Sequence, residues 1–501
     1  DGFCLVVYNP LPHPRTAAVS TPLRELENCG STMCLRVDPD DPDSGPLRQG
    51  MALTDRWHRY PPAEVLRGDF DLLDAETGET VPFQIVEIGS AHDPALHAPQ
   101  RYGLAQGGKR LGIFEAPSGV GRDLRFVARD LPPGGYRTYL LRPCFRSRLP
   151  VATSGVARGL VIENDFYRVA ADPDTGRVVS IVDREADREL LDARAPHGLG
   201  ELVVRDPEAV LPAEAPVHCT LSADGLVYRS LSFASSAPGH PQVHWTLGLH
   251  AGVKRLDLAC RVLKDPTPLL EAYLAFPFQM EAPHWRYESV LAMAEPIRDF
   301  LPGAYWDAVT VQNWVRISDD ALSLLWSSLE TPIVSLGQLH PGYTSPAHSC
   351  LVPERAHHEP AAADSLSRGW LYSLLFANNF GTNFAVSQSG TALFRYSFTT
   401  APGILSDAEA TRLGWEARTP CETIFAERRR PGHLPLSGSL LSLSEDYLAL
   451  LACKAADDGR GLILRLWNPA PEPARGRVSV GLGPVAEARL TSVTEQDDAT
   501  L

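Results

Sequence analysis

The sequence predicts an all-β fold built from multiple antiparallel β-sandwiches. Three observations carry this. Short apolar or alternating runs recur along the whole chain, each closed by turn chemistry. The 39 glycines and 43 prolines fall at short intervals and do not gather in one tail, as expected of a chain with many turns. Helical periodicity is scarce, and the one helix-like patch is the short stretch Asp407–Trp415. At 501 residues the chain is too long for one compact core, so two to four domains are expected.

The elements follow in order. Leu5–Tyr8 is an apolar run closed by the turn pair Asn9-Pro10. Val81–Ile88 alternates after the turn Glu76–Glu79, and Leu124–Ala128 and Tyr136–Leu141 flank Leu131-Pro132-Pro133-Gly134-Gly135 as a hairpin. These define a β-sandwich domain over residues 1–150, followed by a linker with Pro150, Ser154 and Gly155. Leu160–Asn164 opens a second domain over 155–400. In it, Phe166–Ala170 and Val178–Val182 bracket Asp172-Pro173-Asp174-Thr175-Gly176, a turn with proline at its second position and glycine closing it. Strand signals continue through Val243–Leu249, Leu256–Leu263, Leu270–Phe278 and Leu322–Leu325. The last pair is Thr382–Ser387 and Ala392–Phe398. So long a run of strands without crossover helices implies large antiparallel sheets packed face to face. Tyr447–Lys454, Leu462–Trp467 and Arg477–Val480 make residues 401–501 a small final sandwich. Leu466-Trp467-Asn468-Pro469 repeats the aromatic-Asn-Pro exit of Val7-Tyr8-Asn9-Pro10.

Composition narrows the function classes. A formal net charge of −15, without long basic runs, argues against nucleic acid and anionic membranes as partners. No apolar run reaches membrane-spanning length, because Asn378, Asn379 and Asn383 interrupt the nearest candidate, Gly369–Val386. The nine cysteines are widely and irregularly spaced, without a C-x-x-C pair, so reduced thiols are expected and neither a zinc ribbon nor a redox motif is suggested. No leader-like segment and no N-x-S/T sequon occur, and a bacterial cytoplasmic protein fits these features. The chain begins with Asp1 and enters an apolar strand at once, as a truncated or processed chain would.

Several segments resemble glycoside hydrolase family 38, the α-mannosidase-like enzymes. They are Leu5–Pro12, Leu131–Arg137, and Leu160–Val169 with Asp172–Gly176 and Ile181-Val182-Asp183. Tyr273–Phe278, Tyr287-Glu288, Leu301-Pro302-Gly303, Asn378–Phe384, Gln388-Ser389-Gly390 and Phe394-Arg395-Tyr396 follow in the family's order. The resemblance spans nearly the whole chain and is closer to bacterial members. It implies that 155–400 is the large sandwich, similar to galactose mutarotase, and that the chain is the C-terminal β half of such an enzyme. The family's zinc ligands and aspartate nucleophile belong to an N-terminal catalytic half that would lie upstream of Asp1. The resemblance therefore implies no catalytic and no metal residue in this chain, no cofactor of its own, and no activity alone. The implied partners are that catalytic half and a carbohydrate, an α-mannoside; self-association into a homo-oligomer stays open. The alternatives are a stand-alone carbohydrate-binding sandwich without catalysis, and a sandwich enzyme such as a mutarotase or lyase.

Candidate side chains are few. Asn379, Asn383 and Arg395 form the best sugar-contact candidate, because amides suit hydroxyls and a guanidinium is a rigid fork of donors beside aromatic residues. The competing reading is a hairpin lock, with Arg395 paired to a carboxylate of the fold. His357-His358-Glu359, between Pro353 and Pro360, reads better as an exposed loop than as a metal pair. The acidic Asp38–Gly45 reads better as a solvated turn than as a calcium loop, since two prolines break the required alternation. Glycoside hydrolysis usually needs two facing carboxylates. Glu163 with Asp165, Asp319 with Asp320, and Glu271 with Glu288 are pairs that chance alone provides among 61 acids.

Overall fold

The computed structural model describes residues 3–23, 68–88, 101–106, 109–115, 121–144, 159–206, 209–212, 217–301, 308–339, 366–378, 387–427, 434–445, 448–473, 475–481 and 483–500. The sheets are antiparallel. The predicted strand at 382–387, apart from Ser387, lies outside the described residues, as do the linker residues Pro150 and Ser154 and also Cys29 and Cys34. Cys4, Cys144, Cys219, Cys260, Cys421 and Cys453 are free thiols. Among the described residues no helix is long and apolar enough to cross a membrane.

The chain forms two compact units: Asp1–Thr153 with Cys421–Ser442 and Val480–Leu482, and Ser154–Pro420 with Leu443–Ser479 and Gly483–Leu501. In the first, Phe3–Asn9 alternates strictly, with Phe3, Leu5 and Val7 inward. It pairs with Gly135–Pro143 on one side and Glu422–Glu427 on the other. A second sheet of Arg15–Pro22, Gly121–Leu131 and Phe83–Ile88 faces it, and Leu5, Val7, Phe70, Val19, Leu124 and Phe126 fill the space between them. The strand exit at Asn9 is an enclosed polar knot. Its Nδ2 donates to the carbonyls of His13 and Pro132 at 2.9 and 3.0 Å, and its Oδ1 accepts from Leu11 N. In the second unit Asn468 makes the same local bonds, Nδ2 to the carbonyl four residues on and Oδ1 from the amide two residues on. The repeated aromatic-Asn-Pro triplet is thus one turn device used twice.

The second unit stacks a nine-stranded sheet on a six-stranded one. The larger runs, in spatial order, His218–Asp224, Tyr228–Ala237, His240–His250, Leu256–Lys264, Gly390–Pro402, Leu322–Ser328, Val315–Ser318, His284–Ser289, Ala292–Ala294. The smaller runs Val210–Leu211, Leu202–Arg205, Glu271–Glu281, Arg368–Ala377, Ile333–Leu336, Val309–Thr310. Alternation decides the shared core: Leu256, Leu258, Cys260 and Val262 point in from one sheet, and Ala272, Leu274, Phe276 and Phe278 from the other. A four-stranded sheet begun by Leu160–Glu163 adds Ile162, Tyr167, Val169 and Ile181 to this core. Its predicted turn forms as read. Asp172 accepts from Asp174 N and Thr175 Oγ1, and Gly176 adopts φ 68° against the Val217 carbonyl, where a side chain has no room. Asp183, fully enclosed, receives the Thr400 hydroxyl, and Tyr167 OH lies 2.8 Å from that hydroxyl, which ties this sheet to Gly390–Pro402.

Candidate functional site

The predicted helix patch forms as Asp407–Arg418 and lies on the outer face of the nine-stranded sheet. Ser406 starts it with a capping box: its side chain accepts from Glu409 N while Glu409 accepts from Ser406 N. Asp407 takes a forked ion pair from Arg286, with Nη2 to Oδ2 at 2.8 Å, and a second from Arg316 at 3.4 Å. Ala410 and Gly414 present the smallest surface to the sheet. A Cβ at Gly414 would lie 2.5 Å from Trp314 Cδ1, so glycine is what permits the close approach. Arg418 closes the helix by donating to the Ser328 carbonyl at 2.7 Å.

One carboxyl is caught beneath this helix. On His284–Ser289, Trp285 and Tyr287 point into the core, so Arg286 and Glu288 point outward. The helix covers them, and Glu288 is 1% exposed. Asn313 Nδ2 donates to its Oε1 at 2.8 Å, and Trp415 Nε1 lies 3.3 Å from Oε1 and 3.1 Å from Oε2. Burial pushes this acid up, against the lowering effect of the two donors and of the Arg418 charge, to about 7. A carboxyl that exchanges its proton near neutrality marks a functional-site candidate. Trp415 is half-buried, and the equally half-buried Trp467 sits beside it with ring centroids 6.5 Å apart and planes inclined by 36°.

The sequence-predicted residues are distributed differently. Asn379, Asn383, His357–Glu359 and Asp38–Gly45 lie outside the described residues. Arg395 is half-exposed and held by Glu330, whose Oε1 lies 2.7 Å from Nη2 and from Nε, while Oε2 accepts Arg395 N. Glu163 and Asp165 are exposed. Asp319 pairs with Arg188 and caps its own turn through Ala321 N and Leu322 N, with Asp320 exposed beside it. Glu271 is fully enclosed on the outer face of the six-stranded sheet, bound by Arg205 Nη2 at 2.8 Å and Tyr273 OH at 2.6 Å. Glu288 lies on the opposite outer face, so these two carboxyls do not face each other. Among the described residues there is no group of three or more His, Cys, Asp or Glu that could hold a metal ion. Sequence reasoning missed Asn313 and Trp415 as neighbours of Glu288, and Trp467 as the neighbour of Trp415. The available signal was the conjunction of two tryptophans with turn-side amides, which no local spacing links.

The architecture is that of an all-β, multi-sandwich chain. Residues 447–501 match the family model described as the glycosyl hydrolases family 38 C-terminal beta sandwich domain. Over its whole length the chain has the fold of a protein in glycosyl hydrolase family 38 from Enterococcus faecalis, with 12% identity and a TM-score of 0.64. An alpha-mannosidase from Enterococcus faecalis V583 is similar at 12% identity and 0.62, again over 100% of this chain. The chain spans only 57% and 55% of those two chains. The family 38 resemblance of the motifs is therefore met by a family-model match at one end and by the fold throughout. A galactose mutarotase related enzyme from Lactobacillus acidophilus matches over 49% of this chain, at 8% identity and a TM-score of 0.27, and adds nothing to the assignment. No curated protein matches by sequence.

Proposed function

We propose that this chain is the C-terminal β-sandwich portion of a retaining α-mannosidase-type glycoside hydrolase, where it supports the catalytic domain and helps shape the sugar pocket. One observation carries the reading: the fold likeness covers all of this chain but little more than half of its family 38 relative. On this reading zinc and the nucleophile come from the catalytic half, and the chain alone neither holds stoichiometric zinc nor turns over aryl α-mannosides. Arg395, with Asn379 and Asn383, belongs to the side that faces the sugar.

The test is co-expression with the coding sequence upstream in the same reading frame. The expected result is a stable complex with zinc-dependent aryl α-mannosidase activity. An upstream frame that encodes no catalytic domain, or two parts that do not associate, would overturn the proposal.

A further inference from the structure

We propose that Glu288 is a proton-operated latch on the helix Asp407–Arg418: protonated, it keeps the C-terminal end of the helix seated on the nine-stranded sheet, and ionised, it releases that end. Every group involved belongs to the second unit, so the device is independent of the mannosidase reading. The two ends of the helix are held differently. At its start the Ser406 capping box fixes the first turn, and Asp407 is gripped by Arg286 at 2.8 Å and Arg316 at 3.4 Å. At its end Arg418 Nη1 donates to the Ser328 carbonyl at 2.7 Å, and Trp415 Nε1 donates to Glu288 Oε2 at 3.1 Å. The titrating contact therefore sits at the C-terminal end.

Glu288 is enclosed, and its two donors, Asn313 Nδ2 and Trp415 Nε1, are both neutral. It has no ion pair among the described residues. The charged groups around it are committed elsewhere. Arg286 and Arg316 hold Asp407, Arg286 also reaches Asp299 at 3.7 Å, Arg412 pairs with Glu416 along the helix, and His284 is exposed further back on the same strand. Arg418 is the charge that acts on Glu288; it favours the ionised form without offsetting the burial. An enclosed carboxylate without a cationic partner is costly, and hydration relieves the cost. The helix is what covers this group, so water arrives when the end of the helix lifts. Burial accordingly raises the acid from 4.5 to about 7. Its contribution to seating the helix is complete below the ordinary carboxylate value and is lost as pH rises through about 7. At 12 residues the helix is too short to persist alone in water, so its amides exchange with solvent once it is released. Release also uncovers Trp314 and Leu325, both enclosed beneath it.

The test is amide hydrogen exchange of the full chain, read by mass spectrometry at pH 5 and pH 8 and corrected for the intrinsic pH dependence of exchange. Helix amides should exchange through a smaller opening than those of the core strand Leu256–Lys264. The open fraction of the helix should rise roughly seventyfold from pH 5 to pH 8. In Glu288→Gln the helix should still exchange ahead of the core strand, but the rise should disappear. Glu288→Met, neutral, unbranched and of like length, answers the same question if the amide is not accommodated. Three outcomes overturn the proposal: helix and core strand exchanging together, so that the helix opens only on global unfolding; a wild-type helix whose open fraction does not change with pH; or the same rise in the wild type and in a folded variant. None of these bears on whether the chain associates with a catalytic half, so the two proposals fail separately.

Discussion

Replacing Glu288 by Gln should change how the second unit responds to pH. The carboxyl is enclosed beneath the helix Asp407–Arg418 and its pKa is pushed from the ordinary 4.5 to about 7. The folded state therefore binds a proton that the unfolded state releases, and stability falls as pH rises between those two values. At 1.36 kcal/mol per pH unit, the loss is roughly 3 kcal/mol once pH exceeds 7. The structure explains why Gln is the informative replacement. Asn313 Nδ2 donates to Oε1 at 2.8 Å, and an amide oxygen there keeps that bond while the side chain stays neutral; the amide nitrogen takes the Oε2 position, 3.1 Å from Trp415 Nε1, where it cannot accept, a cost that does not vary with pH. Relative to the wild type, the variant should gain roughly 3 kcal/mol of stability between pH 5 and pH 8, or roughly 5 °C in melting temperature for a unit of this size. Thermal melts of both proteins at the two pH values decide the matter. Other groups titrate equally in both proteins and cancel in the difference. An identical pH response in wild type and variant would refute the argument that Glu288 carries a displaced proton equilibrium.

Two further outcomes follow from the same geometry. Gly414→Ala should destabilise the helix–sheet contact by roughly 1–3 kcal/mol, despite alanine's better helix propensity, because the added methyl meets the enclosed Trp314 ring; a urea midpoint at or above wild type would contradict this. Arg395→Ala, in a complex with the catalytic half, should lower turnover or raise KM while leaving the melting temperature nearly unchanged, since a half-exposed ion pair contributes only about 0–1 kcal/mol. Normal kinetics would remove Arg395 from the sugar-facing side, and an unfolded variant would assign it to the fold.

Much of the local structure was legible because its causes are local. The turn at Asp172–Gly176, the two Asn-Pro exits and the helix behind Ser406 are each built on bonds between residues at most four apart, to which Asn9 adds one distant bond, to the Pro132 carbonyl. Period-two alternation likewise showed which side chains of Phe3–Asn9 and Leu256–Lys264 turn inward. Motif order along the chain was enough to bring family 38 forward.

Partners across the chain were decided only by the tertiary structure. Phe3–Asn9 pairs with Glu422–Glu427, which lies some four hundred residues away, and nothing in either segment specifies the other, because a strand edge offers the same backbone groups to any neighbour. The same limit hid the candidate site. In His284–Ser289 the alternation places Arg286 and Glu288 on the outer face, which by itself reads as solvated. Only the docking of a helix from more than a hundred residues downstream encloses Glu288 and brings Trp415 to it. Glu271 and Glu288, one of the carboxylate pairs that chance provides in this sequence, lie on opposite outer faces of the sandwich. Whether an outward carboxyl meets water, an arginine or an indole depends on what packs over it, and that is a property of the assembled sheets.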